Sequence, residues 1–194
     1  LDLAIVEEAA RAVSGKRILL LAGPLDRPQF PDAAATLAAR AGCPIVADPL
    51  SQLRAGDHDR THVITTGDPL ARAGRLNADL EPEVVIRFGA VPTSKALSTW
   101  LAHHPDIRQI VVDDAGWRDP GGSATTMVRS DPASFARRLA EVIDPTPSGW
   151  ALVWAKADQA ARTALTASLT FPSEPAVVTA LADAISDDTT LYVG

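Results

Sequence analysis

Apolar residues Leu3, Val6, Ala10 and Val13 recur at steps of three, four and three. That is the spacing of one helical face, and it predicts a helix over 1–13 closed by Ser14-Gly15. The run Ile18-Leu19-Leu20-Leu21-Ala22 has no polar face at all, so 16–22 reads as a strand covered on both sides, as in a parallel sheet. Residues 31–41 form a helix with Pro31 in its first turn and Gly42 just past its end, the usual asymmetry of helix ends. Pro44-Ile45-Val46-Ala47 is a short second strand, and the polar, Gly- and Pro-bearing stretch 48–60 is a loop. A third strand is expected over 61–66, then a short helix over 68–76 with Asp68 as cap and Pro69 at its first position.

The alternation continues. Residues 83–88 form a strand stopped by Gly89. A helix over 93–103 places Leu97, Trp100 and Leu101 on one side, and 107–112 is a strand ending in Asp113-Asp114. Residues 125–128 give a last strand, and 131–143 a helix with an Asp131 cap. Strands alternating with helices predict an α/β chain, a doubly wound Rossmann-like parallel sheet with right-handed crossovers. Residues 144–149 (Asp-Pro-Thr-Pro-Ser-Gly) have linker composition. Beyond them an alanine-rich helix over 150–169, a second from Ser173-Glu174-Pro175 to 185, and a strand over 189–194 look like the opening of another unit. The expected division is therefore 1–147 for the sheet domain and 148–194 for a partial second domain, and the missing initiator Met fits a chain taken from within something longer.

Composition narrows the function classes. Acidic residues outnumber basic ones by 24 to 18, for a net charge of −6. Nucleic-acid binding, which needs clustered cations, is thereby disfavoured. No apolar run is long enough to span a membrane, and no leader pattern opens the chain. A single cysteine, Cys43, suits a reducing cytoplasmic setting and reads as a small core residue.

Candidate chemistry is sparse. His58 and His62 are four apart, but Gly56 and Thr61 argue against a helix there, so they are expected in a solvated loop. His103-His104 sit at a helix C-terminus, where the dipole favours imidazole. The Ala22-Gly23-Pro24 turn follows the first strand without the further glycines of a dinucleotide site. Gly121-Gly122-Ser123 is a turn or a small anion nest. The segment Arg87-Phe88-Gly89-Ala90-Val91-Pro92-Thr93-Ser94-Lys95-Ala96-Leu97 is the informative one: a strand, a tight loop and a helix start, where such sheets place their ligands. Thr93 or Ser94 can cap that helix. Lys95 in its first turn is mildly unfavourable, by about 0.3–1 kcal/mol, a cost that an anionic ligand or a carboxylate would offset.

That segment with Trp100-Leu101, together with Ala47-Asp48-Pro49-Leu50-Ser51-Gln52-Leu53-Arg54, resembles the central domain of 2-succinyl-5-enolpyruvyl-6-hydroxy-3-cyclohexene-1-carboxylate synthases. Glu174-Pro175 and Leu191-Tyr192-Val193-Gly194 resemble the entry to the third domain of those enzymes. The resemblance implies a thiamine-diphosphate-dependent parent of three α/β domains, dimeric or tetrameric, in menaquinone biosynthesis. Such a parent decarboxylates 2-oxoglutarate and adds the succinyl unit to isochorismate, with thiamine diphosphate and Mg (or Mn) as cofactors. Neither cofactor is expected on this piece, which should be inactive without its flanking domains. Gly67-Asp68-Pro69 departs from the family's Gly-Asp-Gly metal signature, for example. The family's substrate-facing lysine matches Lys95, with Ser94 beside it, as an electrostatic clamp on a substrate carboxylate. Ala96 stands where some relatives carry Arg, so Arg72, Arg75 and Arg87 are the remaining cation candidates. Two other readings are a central domain of an acetolactate-synthase-like enzyme, a resemblance that would imply a flavin- or nucleotide-holding domain, and a freestanding small-ligand-binding module.

Overall fold

The computed structural model describes residues 2–186 and 188–192. In chain order the elements are α1 (Leu3–Val13), β1 (Ile18–Ala22), α2 (Phe30–Ala41), β2 (Ile45–Ala47), β3 (Val63–Ile64), α3 (Gly67–Arg72), β4 (Val84–Phe88), α4 (Lys95–Ala102), β5 (Arg108–Asp113), β6 (Thr126–Arg129), α5 (Pro132–Val142), α6 (Trp150–Ser168) and α7 (Glu174–Ala184). The strands form one parallel sheet in the order β3-β2-β1-β4-β5-β6. β1 and β4, buried along their whole length, lie at its centre, which is why they are apolar on both faces but for Arg87. α1, α2 and α5 pack together on one face, and α3, α4 and α6 on the other. The doubly wound α/β expectation is met.

Local signals place most boundaries. The helix expected over 31–41 is α2, with Pro31 in its first turn and Gly42 in the left-handed conformation at its end (φ 66°). α5 begins on Asp131, whose carboxylate accepts the Ser134 N–H at 2.8 Å. Phe88 at the end of β4 is sandwiched by Phe30 of α2 and Phe135 of α5, with ring centroids 5.1 and 6.4 Å away.

Five expectations are corrected. The strand expected over 61–66 is only Val63–Ile64, because the Thr65 and Thr66 amides leave the ladder and donate to the Asp158 carboxylate at 2.8 and 2.9 Å. Asp68 lies inside the first turn of α3 and is not its cap; Thr66 holds that position, with its hydroxyl also given to Asp158. The helix itself is shorter than 68–76: it stops at Arg72, and Gly74 follows at φ 62°. The helix expected from 93 begins at Lys95, since Thr93 is bound elsewhere and Ser94 is the cap. The strand expected over 189–194 is absent at 189–192, and Val193 and Gly194 lie outside the described residues.

The Pro-rich stretch 144–149 runs along the end of α2, where Thr146 donates its N–H to Ala41 O (2.7 Å) and its hydroxyl to Gly42 O (2.8 Å). α6 then lies on the sheet through Trp150, Trp154 and Asp158, successive residues of one helical face. The Trp150 indole donates to Ile18 O at 2.6 Å, and Trp154 is fully buried beside it. Past Asp158 the helix leaves the core, and α7 has no buried residue.

Two glycines control the top of the sheet. A Cβ on Gly23 would stand 1.8 Å from Ala90 O, and one on Gly89 (φ 73°) 2.7 Å from Pro24 O. Gly23→Ala is therefore expected to destabilise the chain by about 3 kcal/mol or more, the upper end of overpacking costs. Gly116→Ala, where an added Cβ meets nothing, should stay within about 0.5 kcal/mol of the parent. Urea unfolding of both variants checks the contrast, and equal midpoints would refute the crowding.

Candidate functional site

In an open parallel sheet the ligand crevice lies beyond the strand C-termini, where the strand order reverses. Here the reversal falls between β1 and β4, and the chain itself fills the crevice. Gly23 N–H donates to Phe88 O (3.0 Å) and Ala90 N–H to Pro24 O (3.1 Å), so the loops after β1 and β4 cross in backbone contact. A dinucleotide or flavin phosphate has no room between them. This geometry weighs against the nucleotide- or flavin-holding central domain considered as an alternative.

Around this crossing, carboxylates tie the loops together. Asp48, at the end of β2 and 5% exposed, accepts from Leu50 N–H through Oδ1 (2.9 Å). Its Oδ2 accepts from both the N–H and the hydroxyl of Thr93, each at 2.7 Å. Asp68 accepts the Ser94 hydroxyl at 2.6 Å and pairs with Arg72 at 2.7 Å. The Arg72 hydrogen bond is the chief reason its carboxyl is held below the usual range, with Ser94 adding to it against the effect of burial. On the other side, Arg27 grips both oxygens of Asp114 at 3.1 Å, joining the loops after β1 and β5.

Ser94 and Lys95 stand together at the start of α4. The Ser94 hydroxyl accepts the Leu97 N–H at 3.1 Å while donating to Asp68, so it serves as the helix cap. Lys95 is exposed and enters none of the ion pairs among the described residues. The first turn of α4 carries no acidic residue to meet it. Of the other cations, Arg72 is spent on Asp68, and Arg75 is exposed at the far end of α3.

Arg87 lies on the face of the sheet covered by α4. Its guanidinium contacts Asp119 Oδ1 (3.2 Å), Gln109 Oε1 (3.2 Å) and Arg118 O (2.9 Å), and both charged side chains are at most 6% exposed. Ser123 closes the network on Gln109 and Asp119, which gives the Gly121-Gly122-Ser123 turn a structural task. A cleft of about 540 Å³ lies beside it, between α4 and this turn. Burial opposes ionisation of Asp119, but the Ala124 N–H, Arg87 and Ser123 outweigh it and hold the carboxyl below the usual range.

The remaining candidates are structural. Cys43 is fully buried, which pushes its thiol up and makes it unreactive. The His58 ring meets Leu53 O at 3.1 Å and the His62 ring Cys43 O at 3.0 Å. His104 stacks on Trp100 and bonds its carbonyl. No three potential metal ligands cluster among the described residues. The partners of Asp48, Asp68 and Asp158 were not read from the sequence. Asp158 left the clearest trace, as a lone carboxylate on the apolar side of a helix opened by two tryptophans.

Asp119 generates a pH test. Its folded pKa is depressed, so its contribution is fully present above the unfolded value of about 3.9 and is lost as pH falls through the lower folded value. Asp119→Asn leaves Arg87 buried without its counter-charge and is expected to cost about 3–5 kcal/mol at neutral pH. Urea midpoints followed down to about pH 2 should converge between parent and variant. A gap that stays constant would remove the charge pairing as the cause.

Comparison with known proteins places these features. A family model described as the middle domain of thiamine pyrophosphate enzymes matches residues 3–193. A 2-succinyl-5-enolpyruvyl-6-hydroxy-3-cyclohexene-1-carboxylate synthase of Geobacillus kaustophilus is 45% identical over 195 residues, covering 98% of this chain and 33% of the relative. Its counterpart in Chloroflexus aurantiacus is 39% identical, over 96% of this chain and 33% of the relative. The one in Halobacterium salinarum is 49% identical over 73% of this chain and 24% of the relative. This chain thus spans about a third of the length of the first two curated relatives. A Mycobacterium smegmatis structure described as a thiamin diphosphate-dependent enzyme superposes with a TM-score of 0.50 at 20% identity, over 76% of this chain and 29% of that one, a likeness of fold. The match of the family model along nearly the whole chain, on a parallel α/β sheet, makes it a member of the thiamine pyrophosphate enzyme middle-domain family.

Proposed function

We propose that this chain is the central portion of a synthase that decarboxylates 2-oxoglutarate and joins the succinyl unit to isochorismate, in menaquinone biosynthesis. The observation that carries the reading is 45% identity to a protein of that name along 98% of the chain. Thiamine diphosphate, when bound, supplies the electron sink for the decarboxylation. The residues present here do not fit that cofactor. The crevice is filled by backbone, and Asp68 of Gly67-Asp68-Pro69 is committed to Ser94 and Arg72. In this reading thiamine diphosphate and its Mg or Mn belong to other parts of a longer protein, and the 194-residue chain alone is inactive.

What the chain contributes is a cation on a fixed turn. Lys95 projects from the end of the sheet where ligands gather and forms no ion pair among the described residues, the nearby Asp68 being taken by Ser94 and Arg72. An anionic substrate arriving there would meet both the ammonium and the open N-terminal end of α4. Isochorismate and 2-oxoglutarate both carry such carboxylates. Ser94, its hydroxyl occupied, sets the helix start from which Lys95 projects.

The far half of α6 and the whole of α7 bury nothing and support a second unit, but one that starts past Asp158 rather than at 147/148, since Trp150, Trp154 and Asp158 pack on the sheet. Their exposed Val177, Val178, Leu181 and Leu165 suit a surface covered by further domains of a dimeric or tetrameric parent. No helix among the described residues is long and apolar enough to cross a membrane, in keeping with a cytoplasmic enzyme.

Lys95→Ala in the full-length protein, assayed with thiamine diphosphate and Mg, is expected to raise the KM of one of the two acids about tenfold, or roughly 1.4 kcal/mol. The melting temperature should not move. Unchanged kinetics would remove Lys95 from substrate binding, and a full-length protein that releases no CO2 from 2-oxoglutarate would overturn the synthase reading as a whole.

A further inference from the structure

Asp48 occupies a telling place. β2 and β4 both flank β1, so a bond from the end of β2 to the loop after β4 must pass over the end of β1, across roughly 10 Å of sheet at normal strand spacing. In dinucleotide-binding folds the phosphates lie over that end of β1, and an acid about 20 residues beyond the first turn takes the ribose hydroxyls. Asp48 follows Gly23 at comparable spacing, and its carboxylate does receive a hydroxyl. That hydroxyl belongs to Thr93 of the same chain, at 2.7 Å, and the Thr93 N–H shares the same oxygen. The carboxylate's other oxygen holds Leu50 N–H. The acid is thereby satisfied from within and almost wholly buried.

The consequence falls on the residues that follow. Thr93 is fixed by Asp48 and Ser94 by Asp68, two carboxylates from separate elements. The next side chain is Lys95, exposed and unbonded among the described residues. A lysine on a loose turn must order both the turn and itself when it meets a carboxylate; with the turn fixed beforehand, only the side chain remains to be ordered.

We infer that Asp48 is a positioning residue: seated where related folds take a ribose, it grips Thr93 instead and fixes the direction from which Lys95 meets its anionic substrate. This rests on the assignment of Lys95 given above. Asp48 itself touches no substrate.

The test is a mutant cycle in the full-length synthase, reading KM for each acid, kcat and melting temperature. Thr93→Val removes the hydroxyl and keeps the N–H, Asp48→Asn weakens both bonds, and Thr93→Ser restores the hydroxyl. Thr93→Val and Asp48→Asn should each raise, several-fold, the same KM that Lys95→Ala raises, with kcat little changed. Thr93→Ser should return it to the parent value, and Thr93→Val should add nothing once Lys95 is alanine. Should Asp48→Asn fail to fold, the exposed Thr93 carries the test by itself. A raised KM in Lys95→Ala with no change in Thr93→Val overturns the positioning role and leaves the lysine assignment standing. Effects that multiply in the double variant, or that fall on kcat alone, also overturn it. A silent Lys95→Ala removes both.

Discussion

Two loops cross in backbone contact above the centre of the sheet, and the site depends on that crossing. Gly23 N–H reaches Phe88 O and Ala90 N–H reaches Pro24 O, while neither Gly23 nor Gly89 has space for a side chain. With the crevice closed, the acid at the end of β2 is free to hold the loop after β4. That loop then delivers Ser94 to Asp68 and Lys95 to the surface. A fold that commonly cradles a phosphate here presents a cation instead.

The same economy governs the other polar groups. Arg87 and Asp119 are buried together and bonded to Gln109, Ser123, Ala124 and Arg118, with only the Arg87 Nε left without a partner among the described residues, and this locks the 119–123 turn over the sheet. A pair of this kind adds little net stability compared with apolar packing, yet breaking it is costly. Asp158 plays a matching part on the far side. Its carboxylate collects the Thr65 and Thr66 amides and pairs with Arg162, fastening α6 against the edge strand that these amides abandon. α6, 19 residues and about 28 Å long, is thus anchored at one end and free at the other. The apolar groove of about 710 Å³ between α3 and α6 opens beside that free half.

Elements with strong local signals were legible. Pro31 and Gly42 bracket α2, Asp131-Pro132 starts α5, and the unbroken apolar run of β1 marked it as a buried strand. The place of Lys95 in the first turn of α4 was legible too, and a cation there breaks a local rule. Elements whose ends are set by distant partners were misread. β3 stops early because of a residue 93 positions later, and α4 starts late because Thr93 answers to a residue 45 positions earlier.

Periodicity and capping act within one or two turns of chain, so the sequence by itself determined the α/β class, the order of strands and helices, and the oddness of Lys95. A carboxylate's partner is fixed only when strands far apart in sequence become neighbours in the sheet. The tertiary structure therefore decided that the crevice is closed, that Asp48 and Asp68 hold the turn before Lys95, and that Arg87 is an internal group rather than a second substrate cation.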